Sequence, residues 1–136
     1  MKKLLSTLLL VFALAPAALV AQSESTQNYF VLNRNLEQLK AISLASGELA
    51  EMDGADFGSF EVVICGQAVK DLTNAEKMKP ILELARKNRV QLIACGFSLK
   101  KFEVDQGELP EEMKVVANGI LHGFLLQKEG YHSITL

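Results

Sequence analysis

The sequence predicts an α/β fold, a three-layer α/β/α sandwich around a mainly parallel sheet of about five strands. Two nearly apolar segments rich in β-branched residues, 60–65 and 90–95, have the composition of strands covered on both faces. The stretch between them carries a helical pattern. A strand, a helix and a strand of this length form a right-handed unit whose two strands are parallel.

The first 21 residues are predicted to be a secretory signal peptide. Lys2 and Lys3 give it a positive start, an apolar stretch follows at 4–14, and small residues lead to cleavage after Ala21, with Ala17 and Ser23 as alternatives. The apolar stretch is shorter than the roughly 20 residues that span a bilayer. We therefore expect a periplasmic or secreted protein.

Cleavage after Ala21 leaves 115 residues, enough for one compact domain. We expect a flexible leader at 22–28 and the α/β domain at 29–136. The formal charge of −2 becomes −4 once Lys2 and Lys3 are removed. Nucleic acid and anionic membranes bind clustered positive charge, so we expect neither as a partner after signal cleavage.

The elements of the first half can be taken in order. The apolar run 29–32 predicts a strand. Apolar residues at helical spacing from Leu36 to Met52 predict an amphipathic helix that ends near Gly54. A turn-like connection then leads to the strand at 60–65.

The second helix has two conflicting start signals. Thr73 and Glu76 have the spacing of a capping box. Pro80 lacks a backbone N–H and fits best at the first position of a helix. We therefore expect the main helix to begin at Pro80 and to end near Arg89, before the strand at 90–95.

The final third is less regular. A short helix is expected at 98–102. The segment 113–128 is compatible with one long helix, or with a strand at 114–117 followed by a turn and a helix. Gly130 ends that helix, and 131–136 alternates like a last strand.

Both cysteines come at the ends of the predicted core strands, as Cys65-Gly66 and Cys95-Gly96. The functional crevice of an open parallel sheet lies beyond the carboxyl ends of its strands. Backbone N–H groups of the following turn favour a thiolate there, and Lys100 and Lys101 add positive charge. We therefore expect the Cys95 sulfur to face an accessible pocket.

The residues alone leave three interpretations of the two thiols open. Free cysteines are often buried and only fill space. A disulfide is geometrically allowed between neighbouring strands if both side chains lie on the same face. A reactive site is the third interpretation.

Three segments resemble the DsrE/DsrF-like sulfur-relay superfamily, in its exported single-domain branch. They are the cysteine-bearing segment 90–104, the strand and glycine loop 62–69, and the closing helix with its Gly-Tyr turn at 119–131. The resemblance covers most of the mature chain.

The resemblance implies a five-stranded parallel sheet in which the second and third strands are neighbours. It also implies assembly as a homotrimer or hexamer, and a cysteine at position 95 that carries sulfur as a persulfide and passes it to a partner protein. Cys65 stands where relatives often carry another residue, which makes it a resolving partner for Cys95 or a local peculiarity.

Other candidate sites are weaker. The two histidines and two cysteines lack zinc-ligand spacing, and the glycines form no nucleotide-binding motif, so no metal or cofactor is predicted. His122 is expected to be a packed core or interface residue. Gly119 and Gly123 indicate close helix packing.

The leading hypothesis is an exported sulfur-handling protein with Cys95, and Cys65 beside it, as the site. The alternative is a non-catalytic binding or assembly module whose cysteines are buried or disulfide-bonded. A thiol–disulfide redox protein is a third hypothesis, although the Cys-x-x-Cys spacing of that chemistry is missing.

Overall fold

The computed structural model describes residues 25–136, so the predicted signal peptide and the first residues of the predicted leader lie outside the described part. Strands and α-helices alternate along most of it. They are β1 (Gln27–Asn33), α1 (Leu39–Asp53), β2 (Phe57–Ile64), α2 (Ala75–Lys87), β3 (Val90–Cys95), α3 (Gly96–Lys101), β4 (Lys114–Val116), α4 (Gly119–Lys128) and β5 (His132–Thr135).

The strands form one five-stranded parallel sheet in the order β4-β3-β2-β1-β5. Helices α1 and α2 pack on one face, and α4 packs on the other against β1 and β5. The predicted α/β/α class and the adjacency of the second and third strands are confirmed. No helix among residues 25–136 combines the length and the apolar character needed to cross a bilayer.

The central strands are buried on both faces, as their composition predicts. Val62 and Ile64 face the core beneath α1 and α2, whereas Val63 and Cys65 face α4. This division follows from the two-residue period of a strand, which sends successive side chains to opposite faces. Val63, Cys65, Ile93 and Cys95 therefore lie on the face that α4 covers.

Strands β2 and β3 pair in constant register from Phe60 opposite Val90 to Ile64 opposite Ala94. The next position on each strand is a cysteine. The two thiols therefore leave the sheet at the same level and on the same face.

Two strands are longer than predicted. Strand β1 begins at Gln27, within the segment expected to be leader, and β2 begins at Phe57 rather than at residue 60. The extra length comes from pairing, because Gln27 lies opposite Phe57. Local apolar patterns cannot show a backbone ladder that begins at a polar residue such as Gln27.

The prediction that the second helix starts at Pro80 is wrong. Helix α2 begins at Ala75 and contains Pro80. The amide oxygen of Asn74, not Thr73, caps it by accepting a hydrogen bond from the N–H of Lys77 at 3.0 Å. The helix therefore tolerates the loss of the one backbone hydrogen bond that Pro80 cannot donate.

The segment 113–128 adopts the second of its two interpretations, a strand and then a helix. The Asn118 side chain caps α4 by accepting hydrogen bonds from the N–H groups of Ile120 at 3.0 Å and Leu121 at 3.2 Å. This cap fixes the beginning of α4 immediately above the ends of β2 and β3.

Candidate functional site

A cavity of about 620 Å³ opens at the carboxyl edge of the sheet. Both cysteines line it, which brings the two residues predicted from the sequence together. The polar side chains around them include Arg34, Gln67, Ser98, Lys101 and Asn118, and the apolar side chains include Phe97 and Ile120.

Both sulfur-bearing residues are more buried than the sequence led us to expect, with 3% of Cys95 and 8% of Cys65 exposed. Their access to solvent is through this cavity. The cysteines are free thiols in this structure. Their equal level and common face satisfy the requirement for a disulfide that the sequence left open.

The beginning of α4 is aimed at Cys95. The N–H of Gly119, the first residue of the helix, donates a hydrogen bond to the Cys95 Sγ at 3.3 Å. Unpaired N–H groups at a helix start carry partial positive charge and stabilise a thiolate.

Gly119 makes this approach sterically feasible. A Cβ at this position would lie 2.7 Å from the Cys65 Sγ and 2.6 Å from the Val63 Cγ1, well inside contact distance. Gly123, one turn later, has the same relation to the ring of Phe30, at 2.7 Å. The prediction that these glycines mark close packing is confirmed, and Gly119 packs against the site itself.

Ser98 connects the two thiol-bearing loops. Its Oγ accepts a hydrogen bond from the Gly66 N–H at 2.9 Å, next to Cys65. The hydroxyl proton is then free to be donated to sulfur, and it lowers the pKa of both thiols. Cys95 and Ser98 have the spacing Cys-x-x-Ser at a helix start, a signal that sequence reasoning overlooked.

The pKa values of the two thiols are shifted in opposite directions. Burial alone raises the pKa of Cys95, but hydrogen bonds from the Ser98 side chain, from the N–H groups of Gly119 and Ser98, and from Cys65 bring that pKa below the ordinary value. Burial, together with the charge and hydrogen bond of Cys95, raises the pKa of Cys65 to about 12. Cys95 therefore ionises first, and Cys65 keeps its proton.

The positively charged residues that line the cavity differ in part from those predicted. Lys101 lines the cavity as expected, but Lys100 does not, and Arg34 does. The guanidinium of Arg34 lies over Gly66, with its Nε 3.3 Å from where a Cβ would be, and it lowers the pKa of Cys65 against the effect of burial. Arg34 follows β1 directly, so the strand-end argument applied to the cysteines also identifies it.

The histidines lie outside the cavity lining. His122 is half-buried on α4, where its Nε2 lies 2.7 Å from the Glu61 Oε2 and its ring meets the Phe30 ring edge to face. This is the packed histidine that the sequence predicted. Among residues 25–136, no three His, Cys, Asp or Glu side chains are grouped as metal ligands.

Comparisons with known proteins agree with this architecture. Residues 6–136 match the model of the DsrE/DsrF-like family. Among solved structures, a protein of unknown function from Methanobacterium thermoautotrophicum is similar, with a TM-score of 0.60 and 22% identity over 81% of this chain and 98% of that chain. That likeness concerns the fold alone. No curated protein matches the chain.

Proposed function

Because this chain belongs to the DsrE/DsrF-like family, we propose that it is a sulfur-handling protein whose Cys95 thiolate carries sulfane sulfur as a persulfide. The observation that carries the proposal is the hydrogen bond from the Gly119 N–H to the Cys95 sulfur at a cavity open to small molecules. A thiolate is the form that attacks sulfur, and this site favours it.

The proposed cycle has two steps. The Cys95 thiolate attacks the sulfane sulfur of a donor R–S–SH, the new S–S bond forms at Cys95, and R–SH leaves with the proton. A thiolate on the acceptor then attacks the outer sulfur of the Cys95 persulfide and takes it, which regenerates the Cys95 thiolate. No electrons are gained or lost by the carrier over the cycle.

The cavity favours a carrier over a hydrolytic or acid–base enzyme. No carboxylate or histidine of residues 25–136 lines it. Sulfur exchange between thiols needs only a thiolate and an accessible sulfur. Arg34 and Lys101 add positive charge that suits an anionic donor.

We also propose that this chemistry takes place outside the cytoplasm. The proposal rests on the predicted signal peptide at 1–21. The sulfur donor and the acceptor protein would then be periplasmic or secreted as well.

A homo-oligomer, a trimer or hexamer as the family resemblance implies, is the proposed assembly. Four apolar side chains of α4 point away from the sheet and are 47–59% exposed: Ile120, Leu121, Phe124 and Leu125. They form one contiguous helix face, and contiguous exposed apolar surface marks protein contacts. The occupant we propose is a second copy of this chain.

Mass spectrometry of the intact protein tests the carrier proposal. The reduced Cys65→Ser variant is mixed with a sulfane-sulfur donor such as glutathione persulfide, desalted and weighed. We expect a gain of one sulfur atom, which a small thiol then removes. The Cys95→Ser variant should gain none. Loading of Cys95→Ser to the same extent, or no loading of Cys65→Ser, contradicts the proposal.

The alternative is a binding or assembly module, and the deep burial of both thiols is the observation that favours it. In that case the same experiment finds both thiols unmodified by the donor in native protein and modified only after unfolding.

A further inference from the structure

Cys65 forms no bond to sulfur in the carrier cycle, yet it is the other thiol in the cavity that holds the proposed persulfide. It follows β2 at the position equivalent to Cys95 on β3, and the two strands are direct neighbours. Strands in a sheet lie about 4.8 Å apart, which is within the Cα separation that a disulfide accepts. The two side chains point to the same face, where both line the cavity.

The two sulfurs are also confined together. Gly119 lies close to both residues. A Cβ at this position would be 2.7 Å from the Cys65 Sγ and 3.3 Å from the Cys95 Cβ. The start of α4 therefore closes one side of the space that both thiols share. Confinement of this kind raises the effective concentration of one thiol at the other.

We propose that Cys65 resolves the Cys95 persulfide within the same chain, releasing the carried sulfur as sulfide and leaving a Cys65–Cys95 disulfide. This inference rests on the proposed persulfide at Cys95, and it gives the chain a second outcome besides transfer to a partner. It adds sulfide release to the activity.

Atoms and electrons balance without an outside reagent. Loading removes the thiolate charge from the Cys95 Sγ, one of the causes that raise the pKa of Cys65, so Cys65 can give up its proton and attack that Sγ as the thiolate. The bond between the two Sγ atoms forms, the Sγ–S bond of the persulfide breaks, and the outer sulfur leaves as HS⁻, which takes up the proton that Cys65 gave up. The net change is Cys95–S–SH plus Cys65–SH to a disulfide plus H₂S. The sulfane sulfur is reduced to sulfide, and the two cysteines are oxidised. A further cycle requires an external dithiol reductant.

Geometry decides which sulfur of the persulfide is attacked. Attack on the outer sulfur would only move the persulfide from Cys95 to Cys65. The separation of neighbouring strands instead suits a direct bond between the two Sγ atoms. The outer sulfur is free to extend into the cavity, where Arg34 and Lys101 favour the departing anion.

Disulfide formation and sulfide release require that Cys95 first carries sulfur. Before loading, Cys95 is the thiol that ionises more readily, and its charge and hydrogen bond keep the neighbouring Cys65 protonated. Two thiols with no added oxidising equivalent do not form a disulfide. Sulfur on Cys95 supplies that equivalent and turns its Sγ from a nucleophile into the atom attacked.

The test follows isotopically labelled sulfur in fully reduced protein under anaerobic conditions. Protein is loaded with one equivalent of glutathione persulfide carrying ³⁴S at the sulfane position and is desalted at once. Released sulfide and intact mass are then followed. Wild type should release one labelled sulfide per loaded chain and lose the mass of two hydrogens. Cys65→Ser should keep the added sulfur and release sulfide only at the donor-free background rate.

Cys65→Ala serves as a second variant in case the serine hydroxyl disturbs the buried site. If wild type keeps its added sulfur as long as these two variants do, or if the label moves to Cys65 as a persulfide, the inference is overturned while the carrier proposal stands. If none of the three proteins gains sulfur, it is the carrier proposal that fails.

Discussion

At the scale of single residues, the site depends on the difference in pKa between its two thiols. Cys95 and Cys65 share one cavity, but hydrogen bonds favour the Cys95 thiolate, whereas burial and the neighbouring Cys95 keep Cys65 protonated. Only the thiolate form attacks sulfur or an alkylating reagent. Reactivity towards a small electrophile therefore reports the difference directly.

We expect iodoacetamide to modify Cys95 well before Cys65 in native wild-type protein. The rate at Cys95 should rise with pH with its midpoint below the ordinary thiol pKa of 9.0, because its pKa is lowered. The rate at Cys65 should still be rising towards pH 12, because its pKa is raised to about 12. Peptide mapping after alkylation across the pH range measures both.

A matched variant isolates the hydrogen bond from Ser98. Ser98→Ala should move the Cys95 alkylation profile to higher pH. Ser43→Ala is the control, since Ser43 is equally buried, lies on α1 and has no hydrogen-bond partner for its Oγ. An identical profile for both variants would show that Ser98 does not act on the thiolate.

The residues of this site differ in how far the sequence reveals them. The two cysteines could be found because each stands at the end of a strand whose last residues are nearly all apolar. The end of β1 and the Cys-x-x-Ser spacing mark Arg34 and Ser98 as candidates, but their roles could not be assigned from the sequence. Those roles depend on contacts between segments far apart in the chain, such as the Gly66 N–H with the Ser98 Oγ. Spacing along the chain does not encode such contacts.

At the scale of elements, α4 controls the site through its first turn. Its cap at Asn118 and its glycine at 119 bring the helix start onto the sulfur of Cys95. The helix cannot move away from the sheet without losing that hydrogen bond.

Gly119→Ala should lower the free energy of unfolding by about 1–3 kcal/mol, as overpacking does, and should also raise the pKa of Cys95. The added methyl group must push α4 away from Cys65 and Val63, and so moves the Gly119 N–H away from Cys95. Urea denaturation and the alkylation profile measure the two effects.

Gly123→Ala is the control for this change. Its methyl group meets the Phe30 ring at a similar distance, but lies away from the thiols. We expect a comparable loss of stability with an unchanged Cys95 profile. A Cys95 pKa that Gly119→Ala leaves unaltered would contradict the proposed role of α4.

The elements also show where local reasoning succeeds. Strand β3 has the predicted bounds because all of its residues except Gln91 are apolar and buried. Helix α2 begins earlier than predicted because a cap is a contact of one side chain, and Asn74 competes with Thr73 on equal local terms. The proline rule then gave the wrong start, since packing of Met78 and Ala85 outweighs one missing bond.

At the scale of the whole molecule, the helix layers on the two faces of the sheet expose different kinds of apolar surface. Its α1 and α2 side exposes isolated large apolar residues such as Met52, which is 80% exposed. Its α4 side exposes a continuous apolar face. Isolated apolar residues are ordinary on protein surfaces, whereas continuous ones mark contacts.

Phe124→Asp should convert the proposed trimer or hexamer to monomers, because a charge is costly in the middle of an apolar contact. Met52→Asp adds the same charge on the other side and should leave the assembly unchanged. Light scattering coupled to gel filtration distinguishes them. A monomeric wild type would contradict the proposed assembly.

Cys65 and Cys95 lie on the same face because the same number of residues separates each of them from a paired position on β2 or β3. Successive side chains of a strand point to opposite faces, so a change of one residue in either count would separate the two thiols. The number of residues between the two strands does not set the level at which the thiols leave the sheet, because that level depends on the ladder that pairs β2 with β3. Removal of a single residue inside β2 would instead invert every later side chain of that strand and turn position 65 towards α1 and α2. The shared face of the two thiols thus depends on the count of residues within each strand and not on their separation along the chain.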